Sequence, residues 1–137
     1  MNEEAAILAI DPGREKCGLA VLTSRRVLER RVVGPEEVTA VIGEWIGRHR
    51  IRTVVVGNRT GAARIRDAVA RTFPRLILRG VDEAGTTLEA RRLYFADHPP
   101  TGWRRLLPLS LQVPPEPYDD YAAVALGRRF LARYGPG

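Results

Sequence analysis

The chain has 137 residues, with 22 Lys and Arg against 16 Asp and Glu, for a formal net charge of +6. That length predicts one domain over 1–137, and 45% hydrophobic residues exclude a disordered chain. No apolar run approaches the ~20 residues of a membrane helix, the start Met1-Asn2-Glu3-Glu4 is unlike a secretory signal, and a lone Cys17 excludes a disulfide framework or Cys-rich zinc site; a cytoplasmic protein with no membrane partner is expected.

Ala6 to Ile10 is an apolar run closed by Asp11-Pro12-Gly13. It reads as a buried strand with Asp11 at its C-terminal end. Gly18 to Leu22 and Val27 to Val33 are further strands, joined by a Ser24-Arg25-Arg26 turn. Three tightly connected strands predict an antiparallel meander. The period then changes. Val38, Val41, Ile42, Trp45, Ile46 and His49 share one helical stripe, and Pro35-Glu36-Glu37 suits its first turn. Thr53 to Val56 is a β-branched run, as in a strand covered on both faces, and Gly57 ends it.

Ala62 to Phe73 has helical spacing at Ile65, Ala68, Val69 and Phe73. Leu76 to Leu78 is a short strand ending near Val81-Asp82-Glu83. Thr86 to Ala96 reads as a helix, with Thr86 and Glu89 in capping-box register. Residues 98–117 hold six of the ten prolines and predict a loop or short helical turns. Tyr118 to Tyr134 is the last helix. The order β-β-β-α-β-α-β-α-α predicts an α/β fold: a mixed five-stranded sheet with helices on its faces.

Most acidic residues fall where a solvated charge would. Asp11 closes the first strand, Asp82 and Glu83 close the last, and Asp119 and Asp120 open the last helix. Ligand sites of open α/β sheets lie beyond the carboxyl ends of strands. Asp119 falls on the stripe of Ala122, Ala123 and Leu126, where an unpaired carboxylate is costly. A convergent cluster of these acids would repel itself and call for a hard divalent cation, Mg²⁺ or Mn²⁺. Two such ions about 4 Å apart activate water and stabilise a leaving oxygen in phosphodiester hydrolysis. Each acid also has a plain structural role open to it. Asp11 and Glu83 suit turns, and Asp119 or Asp120 suits a helix dipole.

At these residues the sequence resembles the RNase H-like superfamily and, within its RuvC-like resolvases, the YqgF (RuvX) family of Holliday-junction resolvases or precursor-rRNA nucleases. The resemblance lies in Ile7-Leu8-Ala9-Ile10-Asp11-Pro12-Gly13 with Gly18-Leu19-Ala20-Val21, in Val54-Val55-Val56-Gly57, in Asp82-Glu83 with Thr86-Thr87-Leu88-Glu89-Ala90, and in Asp119-Asp120-Tyr121-Ala122-Ala123. The four matches run in family order over 6–131. They imply that Asp11, Glu83 and Asp119 are catalytic, metal-binding carboxylates, with Asp120 the alternative for the third. Ala84 stands where the family has Arg after Asp-Glu, and Asn58-Arg59-Thr60-Gly61 is shorter than the family's loop and lacks its Pro-x-Asn element.

Lys16 is the only lysine among the 22 basic residues; the rest are arginines. Arginine's planar fork suits phosphate, although a compositional preference for Arg accounts for the same ratio. Arg14 and Lys16 follow Asp11, Arg59 and Arg64 follow Gly57, and Trp103-Arg104-Arg105 lies in the Pro-rich segment. These are candidate nucleic-acid contacts: arginines for phosphates, Trp103 to stack on a base or to anchor its loop. Cys17 reads as a small buried hydrophobe.

The function expected is a divalent-metal-dependent endonuclease on branched DNA or structured RNA, working by two metal ions. The alternative is a non-catalytic RNase H-like domain that binds nucleic acid or acts as a scaffold. Actin-like phosphotransferases share the topology, but their nucleotide lies between two such domains and this chain provides one. Junction resolvases resemble two-fold dimers because they make two symmetric cuts, so a homodimer belongs to the first expectation.

Overall fold

The computed structural model describes residues 2–135. Its strands are β1 (Asn2–Asp11), β2 (Cys17–Leu22), β3 (Val27–Val33), β4 (His49–Gly57) and β5 (Ile77–Val81). Its helices are α1 (Val38–Ile46), α2 (Ala62–Thr72), α3 (Thr86–Asp97) and α4 (Asp119–Tyr134). The sheet order is β3-β2-β1-β4-β5. The meander β1-β2-β3 is antiparallel, while β4 and β5 extend it in parallel with β1. The predicted mixed five-stranded sheet is therefore the one observed.

Side chains alternate along the central strands, so the sheet has two apolar faces. Leu8, Ile10, Leu19, Val21, Val54 and Val56 pack with Val38, Ile42 and Trp45 of α1 and Ile65 and Val69 of α2. Ile7, Ala9, Ala20, Leu22 and Val55 pack with Ala123, Val124, Leu126 and Phe130 of α4. Full burial of such a side chain is worth about 1.5–3 kcal/mol. Ala9 and Ala20 on this face and Ala123 and Gly127 on the helix let α4 lie close. A Cβ on Gly127 would come within 2.6 Å of a Leu22 methyl and 3.2 Å of Ala9 Cβ. A third cluster, Ala90, Tyr94, Phe95 and Tyr121, welds α3 to α4.

Three sequence expectations need correction. His49 is not on the α1 stripe. The helix ends at Ile46, and His49 opens β4, where its Nε2 lies 2.7 Å from Glu29. The helical period simply runs on by coincidence past the Gly47-Arg48 turn. Pro35 to Glu37 form a separate 3-10 turn ahead of α1. The Thr86/Glu89 capping box is absent: the cap of α3 is Gly85, at φ +82, and Thr86 instead donates its hydroxyl to the Glu83 carbonyl at 2.7 Å. The left-handed cap is open to glycine at no steric cost. The short strand predicted at 76–78 runs from Ile77 to Val81, and 98–117 contains two 3-10 turns. No helix among the described residues is long and apolar enough to cross a membrane.

Candidate active site

Asp11, Gly57 and Val81 end the three mutually parallel strands β1, β4 and β5. The chain beyond each end therefore meets at one edge of the sheet, where open α/β folds bind ligands. Asp11 and Glu83 are both buried there, at 6% and 3% exposure. Glu83 fits because residue 57 is glycine; a Cβ at that position would overlap the Glu83 carboxyl group.

Glu83 is held on every side. Its Oε2 accepts the Arg59 backbone N–H at 2.9 Å, and its Oε1 lies 3.6 Å from Arg59 Nε. Its own N–H donates to Asn58 Oδ1 at 3.4 Å, and its carbonyl accepts the Thr86 N–H and hydroxyl. Asp11 is less well served. Its Oδ1 is buried without a hydrogen-bond partner. Burial, the facing Glu83 carboxyl at hydrogen-bonding range and the Glu83 charge push the Asp11 pKa up to about 8, against the pull of Arg59. Asp11 therefore favours its protonated form at neutral pH when no cation is present.

A cavity of about 260 Å³ opens beside this pair, lined by Asp11, Lys16, Arg59, Thr87, Glu116, Pro117, Tyr118, Asp119 and Ala122. Burial raises the Asp119 pKa, with Lys16 opposing. A groove of about 340 Å³ between β5 and the end of α4 is larger, but its lining of Thr53, Ile77, Arg79, Gly80, Phe130 and Tyr134 carries no carboxylate. Of these two, the acid-lined cavity is the one that offers carboxylates.

The two candidates for the third carboxylate part company. Asp119 lines the cavity. Asp120 accepts a hydrogen bond from Arg30 Nε at 2.8 Å, and its other oxygen accepts the Tyr121 N–H. Glu116 is an acid that sequence reasoning missed. It reaches the cavity from the Pro-rich segment, its Oε1 accepting the Tyr94 hydroxyl at 2.7 Å. It lies outside α4, in a proline-rich segment with no periodic pattern to single it out. Among the described residues no group of three or more acidic, histidine or cysteine side chains is arranged to hold a metal ion. The donor chemistry nevertheless fits a hard cation: a buried Asp11 oxygen without a partner, on a carboxyl group whose pKa is raised in the cation's absence.

Of the basic candidates, Lys16 and Arg59 line the cavity. Arg14 is exposed in the turn after Asp11, and Arg64 is exposed on the first turn of α2. Trp103, Arg104 and Arg105 lie on an exposed 3-10 turn and do not line the cavity. Trp103 is 68% exposed, so it does not anchor its loop in the core. Cys17 is buried as expected, with its thiol pKa raised by burial.

Sheet order, helix placement and acids at the strand ends define an RNase H-like α/β fold. Among solved structures, the chain is similar to T. thermophilus RuvC in complex with a Holliday junction substrate, at 20% identity and TM-score 0.58 over 97% of this chain and 98% of that one. A second Thermus thermophilus RuvC structure matches at 19% identity and TM-score 0.61, over 96% and 97%. The fold is thus the RuvC-like form of that class. No family model matches the chain, and no curated protein does.

Proposed function

We propose that the protein is a divalent-metal-dependent endonuclease that hydrolyses phosphodiester bonds in branched DNA or structured precursor RNA, of the YqgF (RuvX) type. The observation that carries this reading is the Asp11–Glu83 pair: two buried carboxyls facing each other at the strand ends, one oxygen unpartnered. Asp11, Glu83 and Asp119 would hold Mg²⁺ or Mn²⁺, with Glu116 as a further carboxylate beside Asp11 and Asp119 on the cavity wall. Asp119 is preferred to Asp120 as the third, because the Asp120 carboxylate is already engaged by Arg30. When bound, the ions supply an activated water and charge stabilisation for the leaving oxygen.

The chain's own residues do the rest. Arg59 lowers the Asp11 pKa and so favours the ionised form that a cation needs. Lys16 sits on the cavity wall, in reach of a phosphate flanking the scissile one. Arg14 and Arg64 extend the basic rim, and Trp103 with Arg104 and Arg105 offers a stacking surface beyond it. The similar RuvC in complex with a Holliday junction substrate favours branched DNA. A homodimer, giving two symmetric cuts, and a cytoplasmic setting complete the proposal.

Two observations favour the second reading, a non-catalytic nucleic-acid-binding domain. Arg59 already serves Glu83 as counter-ion, and no ready three-ligand site stands among the described residues. A cleavage panel separates the two. Four-way junction DNA, single strands and precursor rRNA are incubated with Mg²⁺ or Mn²⁺, and binding is followed in parallel. Ion-dependent cleavage of a branched or structured substrate is expected. Salt-sensitive binding without cleavage under either ion would establish the second reading.

A further inference from the structure

Two arginines outside the cavity each grip a residue adjacent to one of the proposed metal-binding carboxylates. Arg30 on β3 bonds Asp120, next to Asp119, and Arg129 on α4 bonds Asp82, next to Glu83. The Arg30 contact is many-sided. Its Nε donates to Asp120 Oδ2 at 2.8 Å, its Nη1 reaches Asp97 at 3.5 Å, and its guanidinium lies 4.1 Å from the Tyr121 ring centroid. The Tyr121 hydroxyl donates to the same Asp97 oxygen at 2.8 Å. The first turn of α4 is thereby tied to β3 and to the end of α3. The Asp119 peptide also lies directly on Gly18 of β2, where no Cβ would fit.

Arg129 works from the other side. Its Nη1 donates to the Asp82 carbonyl at 2.8 Å, and its Nη2 would lie 3.3 Å from a Cβ on Gly85. Asp82 in turn accepts the Ala84 N–H at 3.1 Å. The loop that carries Glu83 is thus pinned to the same helix that carries Asp119. The helix α4 acts as a crossbar between the two acids.

We infer that Arg30 and Arg129 are positioning residues: by clamping Asp120 and the Asp82 carbonyl to the body of the fold, they set where Asp119 and Glu83 stand relative to Asp11. The inference rests on the metal-site reading proposed above. A lysine offers one compact charge where each arginine offers a planar fork, so Lys should restore only part of the effect. Groups that orient metal ligands are typically worth 10- to 100-fold in metal affinity or activity.

The test is Mn²⁺ binding to the full chain, followed by the free-ion electron paramagnetic resonance signal. It is run on wild type, Arg30→Met, Arg30→Lys, Arg129→Met, Asp120→Asn and Asp11→Asn, with a thermal melt of each apo protein. Arg30→Met and Arg129→Met should weaken Mn²⁺ binding about tenfold or more, with Arg30→Lys intermediate. Asp120→Asn breaks the clamp from its other end, so it covers the case in which Arg30→Met does not fold, and should weaken binding likewise. Wild-type affinity in the folded arginine variants, whatever their melting temperatures, would overturn the positioning role and leave the metal site standing. Wild-type protein that binds Mn²⁺ no better than Asp11→Asn would overturn the metal site itself, and this inference with it.

Discussion

Gly57 and Glu83 compete for one volume: the Glu83 carboxyl occupies the space that any side chain at 57 would need. The end of β4 therefore contributes an absence that lets the next loop bring its acid to Asp11. Gly57→Ala should displace Glu83 while leaving the sheet paired. Overpacking of this kind costs about 1–3 kcal/mol. The expected outcome is a modest drop in melting temperature together with loss of Mn²⁺ affinity and of ion-dependent cleavage. A variant that melts lower but cleaves normally would separate Glu83 placement from function.

The raised pKa of Asp11 makes a prediction for the apo protein. The folded value is about 8, against 3.8 for the free side chain. The native state therefore binds the proton more tightly than the unfolded chain. The stabilisation is complete below about pH 4 and is lost as pH rises through about 8. Without divalent ions, stability should fall between those limits, and Asp11→Asn should flatten the decline. Millimolar Mn²⁺ should oppose it in wild type alone, since the ion takes the proton's place. Denaturant melts across pH, with and without Mn²⁺, check the sign.

Arg59 is the cation that pulls the Asp11 pKa down. In Arg59→Ala that pull is gone while residue 59 still presents its backbone N–H to Glu83. Asp11 should then keep its proton to higher pH. Because a carboxylate must be ionised to take a metal, the midpoint of Mn²⁺ binding should move to higher pH. Titrations of Mn²⁺ affinity against pH for both proteins read this directly.

The two tryptophans report on different places. Trp45 is fully buried in the core, whereas Trp103 is 68% exposed beside Arg104 and Arg105. Acrylamide should quench mainly Trp103, and bound nucleic acid should shield it. Stacking of one base on an aromatic is worth about 1–3 kcal/mol, so Trp103→Ala should weaken binding roughly five- to 150-fold without changing the melting temperature. Equal affinities would remove Trp103 from the interface.

Much of the fold was legible because local chemistry and tertiary structure agree. Ile7 to Ile10 and Thr53 to Val56 are buried strands by any reading, and Val38, Val41, Ile42 and Trp45 face the core as their spacing predicts. The period misled at His49, where a stripe continued in register beyond the helix that made it. It also misled at Thr86, since a capping box and a Gly85 cap look alike until φ is known. Asp11 and Glu83 were legible because acids at the ends of apolar strands stand out. Glu116 was not: a carboxylate in a proline-rich loop carries no period, and only the fold brings it to the cavity. The Arg30–Asp120 bond spans 90 residues of sequence, a separation that no local pattern encodes.

The most direct measurement is single-turnover cleavage of a four-way junction in Mn²⁺ by wild type and by Asp11→Asn, with circular dichroism confirming that both are folded. Wild type should cleave only when the ion is present, and Asp11→Asn should bind the junction but leave it intact. Cleavage by Asp11→Asn at the wild-type rate would contradict the assignment of this site.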